Sequence, residues 1–318
     1  MAYYNKNTSD DIAVVSTSSA SGYNSKFMNV GEINNQGFEF MVNATPVHTG
    51  DFSWETTFNF AYNDSEVKYL GGTPQLQIDG ASSRSGNVTI QNIVGQPYGV
   101  IVGYKYARDD QGRIIHKDGL PQNSGKLEIL GNGVYKYTGG WSNTFKYKDF
   151  TLSFLLDFKA GASIFSGTNY SLYSEGLHKG TLVGRTPDNP SGAGFVGQGV
   201  MMDADGNIVG ENTVAVRAQD YHQAITSNNI AEAFVYNANF LKLRELSFGY
   251  TFPQSILSKM KVVKGLSVSL VGRNLWTIIK HTDNIDPESA YNNSNGQGLE
   301  LNGYPATRNI GFNVNVKF

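Results

Sequence analysis

Residues 192–197 have the spacing of a dinucleotide-binding loop and read Gly-Ala-Gly-Phe-Val-Gly. Such a loop binds a pyrophosphate only where it joins a strand to a helix, because the helix N-terminus supplies the amide groups that contact the phosphates. Pro187 and Pro190 precede these glycines and Gly199 follows them, so neither element is expected beside the loop. The sequence therefore predicts a flexible loop here and no nucleotide site.

A second candidate is a calcium loop around Gly206. Asp203, Asp205 and Asn207 offer oxygen ligands. The calcium loop of an EF-hand needs a further ligand before the glycine and a Glu one residue beyond the position of Glu211. A polar turn is therefore the better interpretation of these residues.

The remaining residues that could do chemistry form no recognisable set. The sequence contains no Cys, which excludes disulfides, thiolate metal sites and thiol chemistry. No Gly-x-Ser-x-Gly elbow occurs, and a glycosidase-like pair of carboxylates cannot be identified from sequence alone. We therefore predict no catalytic, cofactor-binding or metal-binding residue, no cofactor and no enzyme. The histidines are scattered without His-x-x-x-His spacing, at His48, His116, His178, His222 and His281.

The elements that would position any site are strands. Apolar and polar residues alternate with the period of a strand that has two unlike faces. In residues 240–252 the alternation predicts that Phe240 shares the apolar face with Leu246 and Phe248, interrupted by Lys242 and Arg244. Residues 2–15 could hold a further, poorly patterned strand. The clearest alternation lies in residues 52–63, 150–159 and 310–318, and weaker copies lie in residues 38–45, 135–147, 240–252 and 266–276.

The connections between these strands alternate between short and very long. Short connections are predicted at 46–51, 148–149 and 253–265, and long ones at 64–95, 161–237 and 278–305. Compact soluble domains rarely contain such long loops, whereas outer-membrane barrels have short periplasmic turns and long extracellular loops. The ten steps from Phe52 to Tyr62 span roughly 33 Å, or about 25 Å when tilted, which matches the apolar band of such a barrel.

These observations predict an all-β, antiparallel transmembrane β-barrel with long extracellular loops, and a soluble β-sandwich is the alternative fold. The strand count is eight or ten, because residues 99–106 and 112–119 could cross the membrane or form a hairpin within an external loop. The net charge of −2 and the lack of a basic run argue against a nucleic-acid partner. The sequence has no apolar run long enough for a transmembrane helix and no recognisable signal peptide.

Several stretches resemble the SusC/RagA-like TonB-dependent transporters of Bacteroidota outer membranes. The resemblance covers nearly the whole chain in the family's order and spacing, and its C-terminal block is the most specific. In the loop KHTDNIDPES the Gly-Tyr that commonly precedes Asp-Pro-Glu in the family is missing. The matching stretches are NVGEINNQGFEF (29–40), DFSWETTFNFAYN (51–63), GGWSNTFKYKDFTLSFLL (139–156), FLKLRELSFGYTFP (240–253), GRNLWT (272–277), IDPES (285–289) and YPATRNIGFNVNVKF (304–318).

The resemblance implies that residues 1–318 are the C-terminal portion of a larger barrel, without the signal peptide, TonB-contacting segment and plug domain of the family. The implied function is nutrient uptake across the cell outer membrane, with an oligosaccharide or peptide as ligand and a SusD-like lipoprotein as partner. TonB would act only through the missing N-terminal part, so transport by this segment alone is not expected. The alternatives are a soluble β-sandwich that binds glycans and a passive, porin-like channel.

Two sets of residues are predicted to be functional. Tyr170, Tyr173, Tyr221 and Tyr291 lie in the long connections, where they could stack on sugar rings or simply pack a loop against itself. By resemblance, the C-terminal strand is a signal for the barrel-assembly machinery, and its residues could instead be only lipid-facing and interfacial side chains. That strand carries Phe312, Val314, Val316 and Phe318.

Overall fold

The structure is a computed structural model that describes residues 1–10, 12–16, 22–23, 25–29, 31–80, 86–259, 262–289 and 296–318. The strands are β1 (Ala2–Thr8), β2 (Ile12–Ser16), β3 (Ser25–Asn29), β4 (Glu32–His48), β5 (Phe52–Tyr69), β6 (Gln75–Gly80), β7 (Thr89–Ile93), β8 (Val100–Tyr106), β9 (Ile115–Lys117), β10 (Leu120–Pro121), β11 (Asn123–Asn132), β12 (Tyr137–Tyr147), β13 (Phe150–Ala160), β14 (Ser163–Ser166), β15 (Val200–Met202), β16 (Ile208–Glu211), β17 (Val235–Asn237), β18 (Phe240–Thr251), β19 (Gly265–Lys280), β20 (Leu299–Glu300) and β21 (Asn309–Lys317). The helices are α1 (Gly167–Ser174), α2 (Ala218–Ser227) and α3 (Gln254–Leu257), with 3-10 turns at Lys179–Leu182 and Ala231–Phe234.

One large antiparallel sheet dominates the molecule. Its eight strands follow the order β1-β4-β5-β12-β13-β18-β19-β21. The all-β, antiparallel prediction is confirmed, and the lower of the two strand counts is correct for the described residues. β8, which lies in the doubtful stretch 99–106, pairs with β7 and β11 in a separate four-stranded sheet.

The two faces of the large sheet differ as predicted. Neighbours in register place Trp141 between Phe58 and Leu156, and the same face continues through Phe248 and Leu270. Phe248 is 51% exposed, Leu270 59% and Phe312 80%. No second sheet covers this apolar face within the described ranges, so the β-sandwich alternative is wrong. We call the opposite side of the sheet, which carries Ser, Thr, Asn and charged residues, the polar face.

The prediction for Phe240 is wrong, because a β-bulge changes the alternation of β18. The register with β13 pairs Leu155 with Glu245 but Leu156 with Leu243, so Arg244 is the extra residue. A bulge reverses the facing of every residue beyond it. Phe240 therefore lies on the polar face beside charged groups, where it is buried at 3% exposure. Leu241 and Leu243 lie on the apolar face in its place.

The connections separate by length as predicted. Short links at 49–51, 148–149 and 252–264 lie at one end of the large sheet, and the last of them contains α3. The connection 9–31, which contains β2 and β3, and the long connections 70–136, 161–239 and 281–308 lie at the other end. We call the described parts of the three long connections the loop domain. Of the helices in the described part of the chain, none is long and apolar enough to cross a membrane.

The larger of the two hydrophobic clusters described in the loop domain is built from all three long connections. Val88 and Ile101 come from the first connection, Phe165 and Phe234 from the second, and Leu299 from the third. Glu300 reinforces this junction, since its buried carboxylate accepts hydrogen bonds from the Thr168 hydroxyl at 2.7 Å and from the Ser166 hydroxyl at 3.1 Å. The long connections are thus folded against one another.

Candidate functional site

Six charged side chains meet where the polar face of the large sheet reaches the loop domain. β13 and β18 each supply two of them from the sheet, and residues 281–289 supply two carboxylates from the third long connection. We call this group the ion cluster. It consists of Asp157, Lys159, Lys242, Arg244, Asp286 and Glu288.

Lys242 is the centre of the ion cluster, and its side chain is only 5% exposed. Its ammonium lies 2.6 and 2.9 Å from the two carboxylate oxygens of Asp286 and 2.8 Å from Glu288 Oε2. Arg244 donates from Nε to Asp157 at 2.7 Å and from a terminal nitrogen to Glu288. Lys159 Nζ lies 3.0 Å from Glu288 Oε1. Each buried charge is therefore paired, as burial requires.

Glu288 receives three cations, and its pKa reflects them. Burial by itself would raise the pKa of this carboxyl, but hydrogen bonds from Lys242, Arg244 and Lys159 lower the pKa to about 2. The carboxylate is consequently ionised at any ordinary pH. Since it binds both β13 and β18, it fastens residues 285–289 to the sheet.

Two aromatic rings frame the ion cluster. The centre of the Phe240 ring lies 4.8 Å from the Lys242 ammonium. The Tyr135 ring packs edge-on against the Phe240 ring, with the ring centres 6.0 Å apart. The Tyr135 hydroxyl donates to the Pro287 carbonyl at 2.8 Å. Burial, followed by the charges of Glu288 and Asp286, raises the pKa of Tyr135, so the hydroxyl keeps its proton. These contacts add to the attachment of residues 285–289.

Two open spaces flank the ion cluster. One, which we call the wall groove, is about 570 Å³ and lies on the polar face, between strands from β5 to β21. Its lining includes Asn59, Gly140, Arg273, Asn274 and Asn309. The other, which we call the junction cleft, is about 320 Å³ and lies between the sheet and the loop domain. Both spaces present hydrogen-bonding groups suited to a polar ligand, and pockets of this size hold small ligands.

The predicted loop tyrosines lie mainly inside the loop domain. Tyr170 packs on Phe234 at 5.3 Å and donates to the Thr226 carbonyl at 2.8 Å. Tyr173 packs against His178 at 4.7 Å. Their rings contact the protein itself, as the packing interpretation expects, and ligand binding by these side chains stays a prediction.

Of the other two loop tyrosines, only Tyr221 lies within the residues that the structure describes. Tyr221 stacks on the buried His116 with the ring centres 5.8 Å apart, and its hydroxyl lies 3.3 Å from His116 Nε2. Tyr291 lies outside the described residues. The structure therefore gathers three of the four tyrosines into the loop domain and does not place them at the ion cluster or the wall groove.

The predicted assembly residues lie on the outermost strand of the large sheet. β21 pairs with β19 on one side, and Phe312, Val314 and Val316 lie on the apolar face beside Leu270, Val268 and Leu266. Phe318 follows the strand and is 75% exposed. The recognition of this strand by an assembly machinery stays a prediction.

The two motifs set aside from sequence are turns and loops, as predicted. Residues 192–197 contain no helix and lead into no strand–helix junction, and Gly192 and Gly194 have φ of +66° and +85°. The Asp203 carboxylate accepts hydrogen bonds from the backbone N–H groups of Asp205 and Asn207 at 3.0 and 2.8 Å, which closes a polar turn. No group of three or more His, Asp and Glu side chains in the described ranges is arranged to hold a metal ion.

Sequence reasoning missed the ion cluster as a unit. Its signal was present in two places, since Lys242 and Arg244 interrupt an apolar alternation and Asp286 and Glu288 lie in the short motif IDPES. Nothing in the sequence connects these positions, because the contact depends on the bulge at Arg244 and on the fold of a long connection.

Comparisons with known proteins agree with this geometry. No family model matches the chain. The chain is 26% identical to TonB-dependent receptor P3 of Formosa agariphila over 343 residues, which covers 99% of this chain and 32% of that protein. It is 24% identical to TonB-dependent receptor SusC of Bacteroides thetaiotaomicron, covering 99% of this chain and 29% of that protein. The chain thus spans about a third of the length of the curated relatives it matches.

A solved structure shows the same fold. The RagAB peptide transporter matches 99% of this chain and 33% of its own chain, with a TM-score of 0.68 and 21% identity. The predicted resemblance to TonB-dependent receptors of the SusC/RagA type is confirmed, as is the predicted barrel fold class. The relatives named here are receptors and transporters rather than enzymes.

Proposed function

We propose that this relative of TonB-dependent receptors forms part of the wall and outer loops of an outer-membrane nutrient importer. The observation that carries the proposal is the large sheet, which has one exposed apolar face, one polar face and all of its long connections at one end. In an outer-membrane barrel the apolar face contacts lipid, the polar face lines the lumen and the long connections lie outside the cell.

The dimensions of the apolar face support a membrane position. β12 and β13 contain 11 residues each, which is the length a tilted strand needs to cross a bilayer. Aromatic pairs mark both ends, since Tyr62 lies 5.2 Å from Tyr137 near the loop domain and Phe150 lies 4.8 Å from Tyr250 at the short links. Such aromatic residues favour the two membrane–water interfaces.

We assign the wall groove and the junction cleft to the path of an oligosaccharide or peptide ligand. Both spaces lie on the side of the sheet that faces the lumen in this proposal, and both are lined by hydrogen-bonding side chains. A SusD-like lipoprotein would cover the loop domain, and the barrel-assembly machinery would insert the barrel. These partners rest on the resemblance to the family.

Energised transport belongs to a longer protein in this proposal. The matched relatives are about three times as long as this chain, and in the resemblance TonB acts through a part other than residues 1–318. We propose that residues 1–318 are the C-terminal barrel portion and that this portion alone does not transport.

Membrane fractionation tests the proposal. We expect the full-length protein that carries this chain to remain in the outer-membrane fraction after alkaline carbonate washing and to change its gel mobility on heating, as folded barrels do. Binding of purified protein to a panel of oligosaccharides and peptides then tests the ligand class. A protein that is recovered in the soluble fraction without heat-dependent mobility contradicts the proposal.

A further inference from the structure

The junction cleft is lined by a cation of the ion cluster, Lys159, that has a single carboxylate partner among the described residues. Lys159, Lys242 and Arg244 all bind Glu288, so a single carboxylate has three positive partners. Lys242 also binds Asp286 and Arg244 also binds Asp157. Among the described residues, the only carboxylate paired with Lys159 is Glu288. If Lys159 turns away, Glu288 keeps two cations and every other pair is unchanged.

Lys159 is also the accessible member of the three cations. Its side chain is 33% exposed, against 5% for Lys242 and 25% for Arg244. It lines the junction cleft, and its ammonium lies 5.5 Å from the centre of the Tyr135 ring. An ammonium has three N–H donors, so the ion pair with Glu288 leaves donors for another acceptor.

The rest of the cleft offers uncommitted hydrogen-bonding groups. Ser163, Ser289 and Gln297 line it together with Lys159 and Glu288, and the Glu288 carboxylate is also paired with Lys242 and Arg244. Within the described part of the chain, the side chains of Ser163, Ser289 and Gln297 form no hydrogen bond. The cleft volume of about 320 Å³ equals that of about ten water molecules, which is room for one sugar ring or a short peptide end. The Lys159 ammonium lies over one face of the Tyr135 ring, and the ring also packs edge-on against Phe240. Stacking of a ligand on the Tyr135 ring is therefore not expected to be the main binding interaction in the cleft.

We propose that the junction cleft binds the carboxylate of a ligand, with Lys159 as the cation and Ser163, Ser289 and Gln297 as hydrogen-bonding partners. The carboxylate can belong to the C-terminus of a peptide or to a uronic acid of a saccharide, since both present the same group. This inference rests on the proposed function, because it places the polar face of the sheet on the ligand path.

The test compares acid and neutral forms of the same probe. Binding of N-acetyl-tri-alanine is measured against N-acetyl-tri-alanine amide, and trigalacturonate is measured against its fully methyl-esterified form, by calorimetry on the purified full-length protein. We expect the wild-type protein to prefer one acid probe over its neutral form by about tenfold, as for one hydrogen bond to a charged group. The arm that shows the preference identifies the source of the carboxylate.

Variants locate the preference. Lys159→Gln is expected to abolish the roughly tenfold acid preference, and Lys159→Arg to keep it. Gln297→Leu, which breaks no ion pair, is expected to weaken acid binding by a few fold. The matched control is Lys146→Gln, since Lys146 is another lysine of the polar face and pairs with Glu55 at 2.8 Å, away from the cleft.

The outcomes separate this inference from the proposed function. If the protein is in the outer membrane but neither acid probe binds more tightly than its neutral form, or if Lys159→Gln keeps the preference, the carboxylate site is refuted and the importer proposal stands. If the protein is not in the outer membrane, both proposals fail.

Discussion

Replacing Lys242 with Met should weaken the attachment of residues 285–289 to the sheet. Lys242 is 5% exposed and supplies the only cation that binds Asp286 among the described residues. Removing one partner of a buried ion pair costs about 3–5 kcal/mol, because the other charge stays buried without compensation. We expect the lower end, about 3 kcal/mol, since Glu288 keeps Arg244 and Lys159.

Hydrogen exchange read by mass spectrometry measures this loss locally. Three amides report on the segment, because the N–H groups of Ile285, Glu288 and Ser289 donate to Asp283 and Asp286. A loss of about 3 kcal/mol in the free energy of opening should speed their exchange roughly a hundredfold. Amides in the centre of β13 serve as the internal reference.

The control is Lys146→Met on the same face of the sheet. Lys146 and Glu55 form a pair whose side chains are each 50% exposed, and exposed pairs contribute at most about 1 kcal/mol. Equal acceleration in the two variants, or unchanged exchange of residues 285–289 in Lys242→Met, would refute the role assigned to the ion cluster.

Three further results are expected. Phe154→Arg on the apolar face should lower the free energy of unfolding in lipid by about 2–4 kcal/mol, as measured by urea titration in bilayers. Ser153→Arg on the polar face should leave this free energy unchanged. Equal tolerance of the two substitutions argues against contact of the apolar face with lipid. The pKa of Glu288 is lowered from 4.5 to about 2, so the contribution of this carboxylate to stability is complete above about pH 4.5 and is lost as the pH falls towards 2. Hydrogen exchange of residues 285–289 across that pH range should show the loss. Exchange that does not depend on pH after correction for the intrinsic rate contradicts the assignment. Deletion of Phe318 should reduce the outer-membrane level of the full-length protein on immunoblots, and an unchanged level counts against the assembly role.

The sequence predicts the wall of this molecule well because each wall strand follows a local rule. Alternation with period two places Trp141, Phe154 and Phe312 on one face without any knowledge of distant contacts. The spacing of short and long connections then gives the direction of the strands. Both signals are short-range, so they survive in a single sequence.

The same reasoning fails where a local irregularity decides the outcome. The bulge at Arg244 shifts the facing of Phe240, and no residue type in that stretch announces it. The ion cluster depends on this shift and on contacts between β18 and residue 286 or 288, more than forty positions away along the chain. Long-range pairs of this kind cannot be read from periodicity.

The loop domain was also beyond local prediction. The sequence allows Tyr170 and Tyr173 to stack on a sugar ring, but packing of a loop against itself is the more common role of such residues. The structure shows that the three long connections share one core around Phe165, Phe234 and Leu299, and the two tyrosines contact that core. Only the joint fold of the connections reveals these contacts.

Single cysteines along β19 test the membrane wall most directly. Residues 1–318 contain no Cys, so after replacement of any cysteine elsewhere in the full-length protein, each substitution from residue 266 to residue 271 gives one site for a nitroxide label. The collisions of that label with oxygen in lipid and with a water-soluble nickel reagent are measured in outer-membrane vesicles. We expect labels at Leu266, Val268 and Leu270 to collide mainly with oxygen, and labels at Ser267, Ser269 and Val271 to collide mainly with the nickel reagent. Equal access of the nickel reagent to both sets would contradict a sheet with one face in lipid and one in a lumen.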